Sequence, residues 1–188
     1  MKVFFLHCFI NLLGLTVQAD QVCNGVDLDS DCWEEIEDRR RGMNVALKGK
    51  ATLSNLYGHG IAYNAIDGNR DGIYDHGSCA HTKVHLSPWW RVDLLQKYKV
   101  FSVIITTEVS VPERLDGAEI RIGNSLIDNG VNNPRCDIIS SVPAGFSVTY
   151  ECNGMEGRYV TVVIPGRIGH LILCEVEVYG LPLDSKAQ

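Results

Sequence analysis

After its first 19 residues the sequence has no apolar run approaching the roughly 20 residues that cross a bilayer, so membrane insertion of the body is not expected. Positive charge is also short. Lys and Arg number 17 against 23 Asp and Glu, a formal charge of −6. A binder of nucleic-acid phosphates wants the opposite sign, so no nucleic-acid partner is expected. Enzyme signatures are missing too: there is no Gly-x-Ser-x-Gly elbow, phosphate loop, dinucleotide fingerprint or His-Glu-x-x-His. No catalytic residue is assigned, and the chain is not expected to be an enzyme. No Asn-x-Ser/Thr sequon occurs, which argues against N-glycosylation. Past the leader, no stretch of 11 or more residues holds a 3.6-residue period, and no internal repeat is visible.

What is present is a globular composition. Hydrophobic residues make up 45% and charged residues 21% of 188, which excludes wholesale disorder and leaves room for one domain plus something small. Residues 1–19 have a single Lys, then an apolar run of about a dozen residues, then Val17-Gln18-Ala19. That reads as a secretory signal peptide rather than an anchor, and the protein is expected to be secreted and extracellular. Cleavage leaves 169 residues with a charge of −7 and removes Cys8. Six cysteines remain: Cys23, Cys32, Cys79, Cys136, Cys152 and Cys174. An even count in an oxidising compartment favours disulfides, although spacing alone does not choose the pairing.

Residues 20–42 form a polar, acidic, cysteine-containing extension ending in Arg39-Arg40-Arg41-Gly42, with one or two helical turns expected near Asp31–Arg40. The basic triplet reads as a solvated linker or as a processing site. Cys23 and Cys32 pair with each other or cross-link chains. From Met43 the texture changes to short runs rich in Val, Ile, Thr and Tyr between Gly, Pro, Asn and Asp. Strands are expected at Trp89–Leu95, Lys99–Thr107, Ala118–Gly123, Cys136–Ser140, Phe146–Glu151, Arg158–Ile164 and Leu171–Tyr179. Trp90-Arg91-Val92-Asp93-Leu94 and Glu175-Val176-Glu177-Val178 alternate with period two, as strands with one buried and one wet face do. Many short strands between turns indicate an all-β sandwich or barrel.

Three groups of residues carry chemistry. Glu175 and Glu177 share a strand face, which is a glycosidase-like carboxylate pair only in outline; one exposed ligand and one solvated side chain is the simpler reading. His59, His76, His81 and His85 gather near Cys79, but they lie in a loop, and a secreted cysteine oxidises more readily than it binds zinc. Residues 64–72, Asn-Ala-Ile-Asp-Gly-Asn-Arg-Asp-Gly, pack oxygen donors around tight turns. Calcium asks for such a loop, although Asn-Gly and Asp-Gly also make ordinary turns.

Ordered motifs extend this reading. They are Asn44-Val-Ala-Leu-x-Gly-Lys-Ala-Thr52, Asn64-Ala-Ile-Asp-Gly-Asn-Arg-Asp71, His76-Gly-Ser-Cys-x-His81, and Pro88-Trp-Trp-Arg-Val-Asp-Leu-Leu-Gln96. Later come Glu113-Arg114, Gly117-Ala-Glu-Ile120, Asn129-Gly-Val-Asn-Asn-Pro134, Gly157-Arg-Tyr-Val-Thr161 and Leu173-Cys-Glu-Val-Glu177. From Asn44 to Tyr179 the chain resembles the F-type lectins (fucolectins), fucose-binding agglutinins best known from eel serum. The resemblance implies an eight-stranded β-sandwich jelly roll of the discoidin-like kind over residues 43–182, with 183–188 as a tail. It implies a structural Ca2+ ion held by Asn64, Asp67, Asn69, Ser78, the backbone oxygen of Cys174, and Glu175. It also implies the bridges Cys79–Cys174 and Cys136–Cys152, leaving Cys23 and Cys32 over.

For the sugar, the resemblance implies one His and two Arg in a shallow cationic pocket. His81 and Arg114 occupy two of those places. The third, 27 residues after the histidine, is Glu108, a carboxylate where the family has a cation. A carboxylate accepts hydrogen bonds but donates none, and near Arg114 it would pair with that donor. Lys83 and Arg121 are candidate substitute donors. The adjacent-cysteine bridge of some family members is replaced by Val111-Pro112, and the loop Asn55–Tyr63 is short. The expected function is that of a secreted, calcium-dependent lectin for L-fucose-containing glycans on cell or microbial surfaces, acting in innate defence as a homo-oligomer, with a trimer expected from the family. The alternative is a scaffold that keeps the fold but has lost or altered the sugar site and acts as a protein-interaction module.

Overall fold

The computed structural model describes residues 42–183. The leader, the extension with Cys23, Cys32 and the basic triplet, and the last five residues lie outside the described residues. The described residues are all-β, joined by short 3-10 turns, and contain no α-helix. Eleven strand segments follow in chain order: β1 (Met43–Asn44), β2 (Lys50–Leu53), β3 (Ala80–His81), β4 (His85–Leu86), β5 (Trp89–Thr106), β6 (Glu119–Gly123), β7 (Arg135–Ile138), β8 (Ser147–Val163), β9 (Ile168–Gly169), β10 (Ile172–Leu173) and β11 (Glu175–Pro182). The main sheet runs β1-β11-β5-β8-β6-β7, with β2 also on β5; β3–β10 and β4–β9 form separate two-stranded sheets. Every pairing is antiparallel.

β5 and β8 each join two strands that the sequence pattern separates. Their mutual register shifts between Asp93 and Tyr98 and again between Val100 and Ser102. Leu95 sits at φ +71° at the first of these irregularities, a conformation costly for a branched side chain. Asp93 holds it there by accepting the Leu95 N–H at 2.8 Å and a two-pronged pair from Arg158 at 2.7 and 2.8 Å. Past this bend β5 changes partner from β2 to β11. Both arms feed one core: Trp90, Val92 and Leu94 from the first, Val103 and Ile105 from the second, with Ile120, Ile122, Val160, Val162, Val176 and Val178. The buried Trp90 indole donates to the Ala62 carbonyl at 2.9 Å, as an enclosed indole N–H requires.

The alternation at Trp90–Leu94 holds, with Trp90, Val92 and Leu94 buried. At β11 it fails. Glu175 and Glu177 are as buried as Val176 and Val178, because the residue 62–71 segment lies over the face that the pattern leaves wet: Gly68 bonds Glu175 and Arg70 pairs with Glu177. Solvated carboxylates are therefore not what this strand carries. The run expected at Leu171–Tyr179 breaks at Cys174, whose N–H goes to the Thr106 carbonyl at 3.0 Å. Cys174 is bridged to Cys79, 95 residues away, and Cys136 to Cys152. Closing the longer loop stabilises by about 4–5 kcal/mol in the chain-entropy model.

Candidate functional site

Two clusters flank Cys79. On its N-terminal side, the 3-10 turn Ala62–Ile66 leads into Asp67 and into Gly68 at φ +86°. Asp67 Oδ1 accepts the Asn69 N–H at 2.8 Å, Asn69 Oδ1 that of Asp71 at 3.0 Å, and Asp71 Oδ1 that of Ile73 at 3.0 Å. These successive side-chain turns wind residues 67–73 tightly. His76 beside Asp71 holds its carboxyl below the usual range. Asn64 spends its amide nitrogen on the carbonyls of His59 and Cys79, at 3.3 and 3.2 Å. Ser78 Oγ donates to the Ile73 carbonyl at 2.9 Å.

Glu175 faces this loop. It is fully enclosed; Oε1 accepts the Gly68 N–H at 3.2 Å, while Oε2 is buried with no partner. Burial, with repulsion from Asp67 and Glu177 adding to it, pushes its pKa up to about 8. Glu177, two residues on, is saturated by Arg70 and by the Tyr179 hydroxyl at 2.7 Å, and that pairing keeps its carboxyl below the usual range despite burial. An enclosed carboxylate oxygen with no partner, with the Asp67 carboxylate nearby, is the chemistry of a cation site. The ligand set that the resemblance implies is all oxygen (two carboxylates, two amide oxygens, a hydroxyl and a backbone carbonyl), the donor class that a hard ion such as Ca2+ takes. No three His, Cys, Asp or Glu side chains converge as a metal cluster among the described residues.

The histidines do not gather as a zinc site. Cys79 is oxidised, His76 bonds Asp71 at 2.6 Å, His85 bonds the Lys83 carbonyl at 3.1 Å, and His59 stacks on Tyr74 at 4.3 Å between centroids. His81 stands apart. It lies on β3, paired with Ile172 of β10, 5% exposed, and neither ring nitrogen has a hydrogen-bond partner. Tyr57, Tyr74 and His170 enclose the ring at centroid distances of 4.5, 5.1 and 5.0 Å. Burial first, then His170 and the Arg114 charge, bring its pKa down to about 4, so the imidazole is neutral at physiological pH.

Arg114 sits in the 3-10 turn Pro112–Leu115, anchored by the buried Leu115. Its carbonyl accepts from Arg167 at 2.8 Å, while its guanidinium makes no hydrogen bond or ion pair among the described residues. Glu108 does not pair with it. Glu108 Oε2 instead accepts the N–H groups of Ser110 and Val111, at 2.6 and 2.9 Å. The carboxylate ties its own loop, and Arg114 stays free. Arg121 is no substitute donor, being committed to Glu119 and to the Asn133 carbonyl. Lys83 remains exposed. Tyr57, Tyr74 and His170 escape sequence reasoning. They stand 24, 7 and 89 residues from His81 with no shared motif, and only the bridge Leu56–Thr82 and the β3–β10 pairing bring Tyr57 and His170 to its side.

A neutral histidine with open nitrogens beside a free arginine, among aromatic rings, has the makings of a carbohydrate pocket. The F5/F8 type C family model described as a NedA-like, galactose-binding domain matches residues 64–162. Fucolectin-4 of Anguilla japonica is 54% identical over 145 residues, which cover 73% of this chain and 80% of the relative. The chain belongs to the F-type lectins. An F-type lectin from striped bass (Morone saxatilis) serum superposes with a TM-score of 0.75 at 59% identity over 76% of this chain; the chain spans about half of that lectin's length (49%). A fucose-binding module of Streptococcus pneumoniae gives a TM-score of 0.63 at 29% identity, covering 72% of this chain and 96% of the module. F-type lectins bind carbohydrate rather than transform it, so the buried pair Glu175 and Glu177 is not a hydrolytic dyad.

Proposed function

We propose that this F-type lectin is a secreted, calcium-stabilised protein that recognises L-fucose-containing glycans in innate defence. The observation that carries the reading is the pair His81 and Arg114: a neutral, enclosed imidazole with both nitrogens unsatisfied, close to a cation with no partner. A neutral sugar is held by hydrogen bonds to its hydroxyls and ring oxygen plus apolar contact with its less polar face. His81 supplies one donor and one acceptor, Arg114 supplies donors, and Tyr57 and Tyr74 supply the apolar walls. The fucose named for the eel and pneumococcal relatives fits this donor-rich pocket.

Calcium would be held by Asn64, Asp67, Asn69, Ser78, the Cys174 carbonyl and Glu175. Bound there, it supplies the counter-charge that the enclosed Glu175 lacks. Single sugar sites are weak and gain from linkage, so assembly into a homo-oligomer, a trimer by the family resemblance, belongs to the same proposal. The serum origin of the striped bass relative supports secretion.

A second reading rests on Glu108. Its carboxylate is occupied by backbone, so the pocket has one cation fewer than the resemblance implies. A scaffold of that kind would serve as a protein-interaction module. Calorimetric or NMR titration with L-fucose in millimolar calcium, with D-galactose as control, decides between the two. Saturable fucose binding that disappears in His81→Ala and Arg114→Ala supports the lectin reading. Silence up to tens of millimolar, or binding untouched by either substitution, removes it.

A further inference from the structure

We infer that His170 is a second sugar-contacting imidazole, set beside His81 and helping to decide which glycan the pocket accepts; this rests on the carbohydrate reading of the His81–Arg114 site.

Placement is the first support. His170 joins β9 to β10, whose partners β4 and β3 both belong to the His81 region. The Leu171 N–H donates to Thr82 Oγ1 at 2.9 Å, and the Thr82 N–H to the Leu171 carbonyl at 3.0 Å. The backbone on which the ring is mounted is thereby fixed. The ring centroid lies 5.0 Å from His81 and 6.0 Å from Tyr57.

Hydrogen bonding is the second. Nδ1 lies 3.0 Å from the Thr82 carbonyl, which only accepts, so Nδ1 carries the proton. With Nδ1 committed to that carbonyl, Nε2 is the nitrogen left to accept, and it has no partner among the described residues. The ring is only half-buried.

The third is the inventory of the pocket. Arg114 only donates. A sugar hydroxyl that accepts from it still has its own proton to place, and binding without an acceptor forfeits that hydrogen bond to water. Glu108 Oε2 is committed to two backbone N–H groups. His170 Nε2 stands beside His81 as a further acceptor. A pocket with donors from Arg114 and acceptors from both imidazoles reads hydroxyls whose orientation satisfies the two at once, which makes His170 a specificity-determining residue.

The test is L-fucose titration, in millimolar calcium, of the wild type, His170→Phe and His170→Gln, together with 15N imidazole NMR. Phe keeps a ring against His81 and Tyr57 without nitrogen; Gln keeps a short polar side chain. Loss of one acceptor predicts affinity weakened about 3- to 10-fold in His170→Phe, and recovery in His170→Gln to within about 3-fold of the wild type. The wild-type His170 Nε2 resonance should move on fucose addition, a readout that a purely packing role would not shift. Equal affinity in His170→Phe and wild type, or a still His170 resonance while His81 responds, would overturn the inference alone. No binding by the wild type would overturn the carbohydrate reading itself and this inference with it.

Discussion

Kept free of metal, this protein should lose stability as pH rises, and Glu175 sets the size of the effect. In the fold, burial lifts the carboxyl pKa from 4.5 to about 8. A raised folded-state pKa favours folding while the group is protonated, below the unfolded value. That advantage is lost as pH rises through the interval up to the folded value. Each pKa unit corresponds to about 1.4 kcal/mol. Between pH 5 and pH 7 the metal-free protein should therefore lose about 2–3 kcal/mol through this one group. For a domain of this length that lowers Tm by about 6–12 °C.

With calcium in excess the carboxylate is ionised against the cation, and the loss over the same interval should vanish. Melting curves by circular dichroism, in metal-stripped and in calcium-containing buffers from pH 5 to pH 8, measure both. Glu175→Gln isolates the group, because Gln can still accept the Gly68 N–H but cannot ionise. The variant should lose both the calcium response and the extra pH slope. If metal-free wild type and Glu175→Gln melt in parallel across the range, or if calcium leaves the wild-type Tm unchanged, the cation site is not at Glu175.

Further outcomes follow from other contacts. Glu108→Ala removes the acceptor of two loop N–H groups and should cost about 1–2 kcal/mol in denaturant titration, with Glu108→Gln in between; an unchanged midpoint would show that the carboxylate does not hold the loop. His81 behaves oppositely to Glu175, since its folded pKa is depressed to about 4. Its contribution to stability is complete above the unfolded value near 6.5 and is lost as pH falls toward about 4. Its charge state should leave sugar affinity flat between pH 8 and pH 7, and NMR titration of the imidazole would expose an ordinary pKa if the enclosure were wrong. Replacing Cys79 and Cys174 together by Ser should lower stability by about 2–5 kcal/mol and weaken calcium binding, read as a smaller calcium-induced rise in Tm.

The β-class and the main strands were legible because Val, Ile, Thr and Tyr runs with period two leave a clear trace, as at Trp90–Leu94. β1, β3, β4 and β9 were not, since two residues show no period, and the four-residue β2 was missed as well; β10 fell inside the run expected at Leu171–Tyr179. The second face of β11 was misread for a definite reason. Alternating Glu and Val imply a wet face, yet residues 62–71 cover it, and only a tertiary contact between Arg70 and Glu177 or Gly68 and Glu175 reveals the cover. At the sugar site, His81 and Arg114 were visible through motif spacing. Whether Glu108 pairs with Arg114 was not legible, because its own backbone two and three residues on is a competing partner that spacing does not weigh. His170 becomes a neighbour of His81 only when β3 and β10 pair, and Tyr57 only through the Leu56–Thr82 bridge.

The proposed calcium ligands and the proposed sugar pocket adjoin at Cys79, which gives a route by which one would depend on the other. Ser78 faces the cation loop and His81 lies three residues on, within the pocket. Asn64, an expected metal ligand, donates to the carbonyls of both Cys79 and His59. His59 stacks on Tyr74, and Tyr74 closes one side of His81 at 5.1 Å. The ion would thus act on the sugar through a frame of backbone and rings, without touching it. Indirect support of this kind should weaken sugar binding when the metal leaves, but not abolish it so long as the chain stays folded. L-fucose titration in metal-stripped buffer at low temperature, with circular dichroism showing the native fold, is the direct check. An affinity lower by several-fold fits the frame. Complete loss of binding in a protein that is still folded would mean that the cation itself coordinates the sugar, and the route through Asn64, Cys79 and Tyr74 would have to be abandoned.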